Sequence, residues 1–199
     1  MGKNTTIKSL DLSFIQIKDE LRTLADALRS NKTLVSLDLS GINAGCEMNH
    51  IFDALKENTT LTQLNIAYNR IEVIDMAEVL KMNTTLLILN LAYNKLGKGL
   101  HTILQAMKIN TTLTELNLAD ASFDKANTQA IVTMMGKNRT LTRLTVAGYD
   151  HAPLYITILY THYTPLQIVT WGDGGINNSE LMVAQADLNQ RLVLAKTRR

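Results

Sequence analysis

Cys46 and His50 are four residues apart, one helical turn, which is the spacing at which an imidazole could take the proton of a thiol. The spacing alone is weak evidence for such a pair, and Cys46 is expected to be a buried or half-buried helix cysteine. His101, His151 and His162 stand in separate stretches, without the CxxC or HExxH spacing of a zinc site. His50 and His101 fall in helical patterns and are expected at the surface or in satisfied structural roles. Gly97 and Gly99 are followed by no Walker lysine, and no GxGxxG run occurs. Asp173 sits alone in the run Gly172 to Gly175, where a turn explains it better than a metal. No catalytic constellation, cofactor site or metal site emerges, and the expectation is a chain that is not an enzyme.

The elements that carry these residues repeat. Asn, any residue, Thr, an aliphatic, two variable residues, Leu, one variable residue and an aliphatic recur from Asn4, Asn31, Asn58, Asn83, Asn110 and Asn138. The first aliphatics are Ile7, Leu34, Leu61, Leu86, Leu113 and Leu141, separated by 27, 27, 25, 27 and 28 residues on subtraction. A degenerate seventh copy is read at Leu166, Val169 and Trp171. Aliphatics two apart, such as Leu64 and Ile66, point to one face of a strand. Leu21, Leu24 and Leu28, and Leu100, Ile103, Leu104 and Met107, lie on helical stripes. One such unit cannot bury its apolar side alone, so neighbours must stack. The recurring Asn is expected to end each helix in the left-handed conformation that Asn tolerates, and Thr33, Thr60, Thr85, Thr112 and Thr140 to start the next strand. The Asn-x-Thr triplets are read as this framework rather than as glycosylation sites.

This pattern resembles the leucine-rich-repeat family in the long-repeat form of ribonuclease-inhibitor-like proteins. Leu61, Leu64, Ile66, Asn69 and Ile71 fit the family spacing in full, as do Leu86, Leu89, Leu91, Asn94 and Leu96. Elsewhere the ninth position holds Ile15, Ile42, Ala121 or Tyr149, so those turns must be satisfied without their own Asn. The resemblance covers residues 4 to 173. It implies an α/β solenoid with a curved parallel sheet on the concave side and helices on the convex side. The domain reading is a single unit, 1–199, with regular repeats over 4–163, the degenerate repeat over 164–175 and a capping helix over 178–195. Leu181, Ala184, Leu188 and Leu192 form the apolar stripe of that helix behind the N-cap candidate Asn178.

The resemblance also implies that the variable strand residues line the concave surface, which can be read in columns. Between the inward aliphatics stand Asp11, Asp38, Asn65, Asn90, Asn117, Thr145 and Thr170. Before them stand Ser9, Ser36, Gln63, Ile88, Glu115, Arg143 and Ile168. A small column follows, Ser13, Ser40, Ala67, Ala92, Ala119, Ala147 and Gly172, which would let a partner approach the backbone. Next come Phe14, Gly41, Tyr68, Tyr93, Asp120, Gly148 and Asp173. Tyr68 and Tyr93 are adjacent, with the large area and few rotatable bonds of an interface anchor. A docking surface of Tyr68, Tyr93, Ile88, Asn65, Asn90, Glu115, Asn117, Asp38 and Arg143 is therefore expected. For the Asn column a simpler role stands beside this one, side chains bonding one another along the sheet.

Charge and composition narrow the partner. The formal charge is +2 over 199 residues, and the concave columns are net acidic, which disfavours nucleic acid. No apolar stretch is long enough for a membrane helix, no secretory start is seen, and one cysteine precludes an internal disulfide. A cytoplasmic chain is expected, with another protein as partner and no membrane or small-molecule substrate. The expected function is a binding module. The alternative is a regulator or inhibitor that covers the active site of a partner enzyme, or a GTPase activator for which Arg143 is the visible candidate. The compact Asn-Thr-Thr repeats also resemble leucine-rich-repeat effectors that bacterial pathogens deliver into the host cytosol.

Overall fold

The computed structural model describes residues 4–71, 75–121, 125–146 and 167–169. Strand and helix alternate as β1 (Ser9–Asp11), α1 (Leu21–Ser30), β2 (Ser36–Asp38), α2 (Met48–Leu55), β3 (Gln63–Asn65), α3 (Asp75–Met82), β4 (Ile88–Asn90), α4 (Gly97–Met107), β5 (Glu115–Asn117), α5 (Lys125–Lys137), β6 (Arg143–Thr145) and β7 (Gln167–Val169). The seven strands form one parallel sheet in sequence order. Parallel neighbours cannot be joined by a hairpin and need a crossover, which is what each helix supplies. The register is one straight column, with Leu10, Leu37, Leu64, Leu89, Leu116 and Leu144 opposite one another.

The core lies between sheet and helices. Leu37, Leu64, Leu89, Leu116 and Leu144 are buried, and so are Leu39, Ile66, Leu91, Leu118 and Val146 two residues later. From the other side Leu21, Leu28, Ile51, Phe52, Leu55, Leu100, Ile103, Leu104 and Met107 close over them, with Leu24 partly buried. Each fully buried aliphatic contributes about 1.5 to 3 kcal/mol. In the first repeat Ile7 is 41% and Ile15 44% exposed.

A buried polar ladder runs beside this core. Asn31 ends α1 in an extended conformation, φ −72 and ψ 129, and none of the repeated asparagines is left-handed, contrary to the sequence expectation. Their side chains do the work instead. Asn58 donates from Nδ2 to the Leu28 carbonyl, Asn83 to Leu55, Asn110 to Leu80 and Asn138 to Met107, each at 2.7 Å. Those carbonyls lie in the last turns of the preceding helices, where backbone acceptors lack intrahelical partners. Each Oδ1 accepts the N–H two and three residues on, as Asn83 does from Thr85 at 2.9 Å and Leu86 at 2.8 Å. The threonines precede the strands by three residues rather than starting them. The Thr60 and Thr112 hydroxyls donate to the carbonyls of Asn31 and Asn83, the repeated asparagines one repeat back, at 3.2 and 3.3 Å.

A second pair of buried asparagines bonds back into the turn of the preceding repeat, and one of them serves a turn that lacks its own. Asn69 reaches back from Nδ2 to the Leu39 carbonyl at 2.7 Å, and its Oδ1 accepts Ala44 N–H at 3.2 Å, so it satisfies the turn in which Ile42 stands. Asn94 does the same for the turn before it, accepting N–H from Asn69 and Ile71, each at 3.0 Å. The seventh strand corrects the sequence register by one residue. Leu144 lies opposite Ile168, Arg143 opposite Gln167 and Thr145 opposite Val169, where Val169, Ile168 and Thr170 had been expected. Ile168 and Val169 are both apolar, so alternation alone does not separate the two registers. The capping helix 178–195 and the side chains of the degenerate repeat lie outside the described residues. Among the described residues no helix is long and apolar enough to cross a membrane.

Candidate protein-binding face of the sheet

Side chains flanking the inward leucines stand on the open face of the sheet in three rows. At the strand starts, Ile88 is half-buried, and Arg143 donates from Nη1 to Glu115 Oε2 of the next strand at 2.9 Å. Arg143 is 48% exposed, but its guanidinium is held by this pair, which leaves it less suited to reach into a nucleotide site.

At the strand ends stand Asp11, Asp38, Asn65, Asn90 and Asn117. Each side-chain oxygen accepts the N–H two residues on, from Ser13, Ser40, Ala67, Ala92 and Ala119 at 2.8 to 3.2 Å. The Ser13 hydroxyl and N–H hold the Asp11 carboxyl below its usual range. Asn65 also donates to Asp38 Oδ2 at 2.8 Å, the side-chain ladder weighed from sequence. That ladder stops there. Among the described residues the Asn90 and Asn117 amide nitrogens have no acceptor, which leaves two donors facing outward in neighbouring strands. The small column is not an open approach to the backbone: Ala67, Ala92 and Ala119 are buried, packed into one cluster.

The third row is Phe14, Gly41, Tyr68, Tyr93 and Asp120. All five are left-handed, with φ of 56°, 69°, 58°, 55° and 53°. Here the chain leaves each strand and turns toward its helix. The N–H groups of the first four still donate across to the next repeat: Phe14 to Ser40, Gly41 to Ala67, Tyr68 to Ala92 and Tyr93 to Ala119. The row is therefore spaced like a sheet, at about 4.8 Å per step. The Tyr68 and Tyr93 rings stack at 4.2 Å between centroids and 9° between planes. They are 50% and 44% exposed, and Phe14 is 73% exposed. A left-handed conformation at a residue with a Cβ costs on the order of 1 kcal/mol, and exposed rings recover little of it through the core. Desolvation, then the Tyr93 side chain, then the Asp120 charge push the Tyr68 hydroxyl above its usual pKa.

The structure brings some predicted residues together and separates others. Asn90, Asn117 and the tyrosine pair share the strand-end half of the face, while Ile88, Glu115 and Arg143 share the strand-start half. Ile88 and Tyr93 are five residues apart along an extended chain, on the order of 15 Å, so Ile88 is not part of one apolar centre with the tyrosines. The left-handed row was missed from sequence, although its column holds Gly41 and Asp120, types that tolerate positive φ. Cys46 is exposed in the 3-10 turn Gly45–Glu47 rather than buried in a helix. His50 Nε2 lies 3.5 Å from Glu47 Oε2, a partner other than the thiol. His101 contacts Gln105 at 3.1 Å on α4. His151, His162, Asp173, Tyr149 and Trp171 lie outside the described residues.

The family model described as leucine-rich repeat matches residues 3–20, 57–74 and 83–99. Among solved structures the chain is similar to the tropomodulin C-terminal domain of Caenorhabditis elegans, with TM-score 0.57 and 16% identity over 68% of this chain and 86% of that one. It is also similar to the leiomodin-1 actin-binding site 2, with TM-score 0.49 and 18% identity over 98% and 90%. A leucine-rich-repeat-containing protein of Legionella pneumophila gives TM-score 0.40 and 16% identity over 96% and 91%. No curated protein sequence matches significantly. The matched repeats, the seven parallel strands in sequence order and the crossover helices make the molecule an α/β leucine-rich-repeat solenoid.

Proposed function

We propose that this solenoid is a protein-binding module without catalysis of its own, and that its partner docks on the strand-end half of the concave sheet. The observation that carries the reading is the Tyr68–Tyr93 stack: two exposed rings held on left-handed backbone, one ladder step apart. Such positions suit glycine, so the rings are best explained by something outside the chain. Asn90 and Asn117 add beside them two donors without acceptors among the described residues, of the kind that engages a partner's backbone carbonyls. Asn65, Asp38, Glu115 and Arg143 form a polar border already bonded within the sheet, and Ile88 is a peripheral contact.

A cytosolic setting, in a host cell if the chain is a delivered bacterial effector, belongs to the same proposal and rests on the repeat sequence. The test is a pull-down with the chain as bait, run in parallel with Tyr68→Gly/Tyr93→Gly. A protein recovered in stoichiometric amount by the parent and lost by the double variant supports the site. A partner held equally by both would move the interface elsewhere.

A further inference from the structure

The open face of the tyrosine stack has a charge beside it. Tyr93 N–H donates to the Ala119 carbonyl at 2.7 Å, so Asp120 follows Tyr93 along the row as Tyr93 follows Tyr68. Each ring has one face against the other, and the remaining face of Tyr93 lies on the Asp120 side. Asp120 is exposed, and among the described residues its carboxylate has neither a hydrogen-bond nor an ion-pair partner. At the other end of the row the Phe14 ring lies over Gly41, against the place where a Cβ would stand. The nearest cations in sequence, Arg70 and Lys95, are each two residues past a tyrosine and exposed. Desolvation and Tyr93 raise the pKa of the Tyr68 hydroxyl most, and the Asp120 charge adds to them.

We infer that the partner segment carries a basic side chain, arginine or lysine, that lies against Tyr93 and pairs with Asp120. The inference rests on the docking site proposed above. A ring face attracts a cation through its quadrupole, and the carboxylate one step away supplies a full countercharge. A guanidinium suits the pair better than an ammonium, because its plane stacks on a ring while its edge forks to a carboxylate. The Asn90 and Asn117 amides then donate to the backbone of the same segment. An acidic segment would meet the Asp120 carboxylate beside the rings.

The test uses acetylated pentapeptide amides, Ala-Ala-X-Ala-Ala, with arginine, lysine, norleucine or glutamate at X, titrated against the full chain while the Tyr68 and Tyr93 ring protons are followed by NMR. The arginine peptide is expected to move both rings saturably and to bind about threefold or more tighter than the norleucine peptide. That advantage should fall in Asp120→Asn, which keeps the ring but loses the countercharge and where asparagine tolerates the left-handed backbone, and shrink as salt is raised. Equal binding of arginine and norleucine peptides, unaffected by Asp120→Asn, would overturn the inference and leave the tyrosine site standing. Preferential binding of glutamate would overturn it in favour of Arg70 and Lys95. Ring protons that respond to none of the peptides would also overturn it, and the pull-down with the tyrosine variant then judges the docking site separately.

Discussion

Asn83 joins two repeats through a single side chain, and removing it should show how much of the solenoid's stability lies in the polar ladder. It is 7% exposed. Its Nδ2 donates to the Leu55 carbonyl at 2.7 Å and the Asn58 carbonyl at 3.2 Å, and its Oδ1 accepts N–H from Thr85 and Leu86. Asn83→Ala leaves the two N–H groups and the Leu55 carbonyl without these partners. At about 1 to 3 kcal/mol for each buried group left unpaired, with water relieving part of it, the loss should be roughly 3 to 6 kcal/mol. That is a large part of the about 5 to 15 kcal/mol that holds a typical domain. Asn83→Asp separates the two halves of the side chain. It keeps the acceptor but turns a second oxygen on the Leu55 and Asn58 carbonyls, so the folded pKa of the introduced carboxyl rises above its unfolded value of about 3.9. The native state then holds that proton more tightly. Stability therefore falls as pH rises from the unfolded pKa through the folded one, and the gap to the parent narrows on acidification toward pH 4. Urea unfolding followed by circular dichroism measures both variants. Asn90→Ala is the control, since the side chain of this half-buried asparagine accepts one bond among the described residues, from Ala92 N–H, and should cost about 1 kcal/mol. A loss below about 1 kcal/mol for Asn83→Ala, or a gap for Asn83→Asp that stays constant with pH, would refute the argument.

Leu89→Ala opens the middle of the leucine column and should cost about 2 to 5 kcal/mol, visible as a lower urea midpoint; an unchanged midpoint would contradict the register. Tyr68→Gly/Tyr93→Gly should leave the melting temperature within about 4 °C, because relief of two left-handed positions offsets lost stacking, while partner affinity falls roughly thirtyfold or more. A large drop in melting temperature would make the rings structural. Glu115→Ala breaks an exposed ion pair and should change stability by no more than about 1 kcal/mol, checked by the same urea titration.

The repeat was legible in the sequence because stacking imposes the same demand at every period. Leu37, Leu64, Leu89 and Leu116 must each fill one layer of a shared core, so aliphatics recur at fixed spacing and the strand, helix and sheet order follow from them. The candidate columns were legible for the same reason: once the inward leucines are placed, alternation puts Asn65, Asn90 and Asn117 on the open face. What alternation does not encode is where a strand stops. Tyr68 and Tyr93 stand three residues past their three-residue strands, on a left-handed turn, and only the turn geometry sets them one ladder step from each other and from Asp120 while parting them from Ile88. The asparagines show the same division. Their recurrence was plain, but Asn31 is extended and none of its counterparts is left-handed. Each Oδ1 holds N–H groups two and three residues on, while the Nδ2 donors reach carbonyls about one repeat back in the chain. A side chain that bonds across some 27 residues is invisible to local propensity, and tertiary stacking alone chose it, because the ends of buried helices need donors that the next repeat is placed to give.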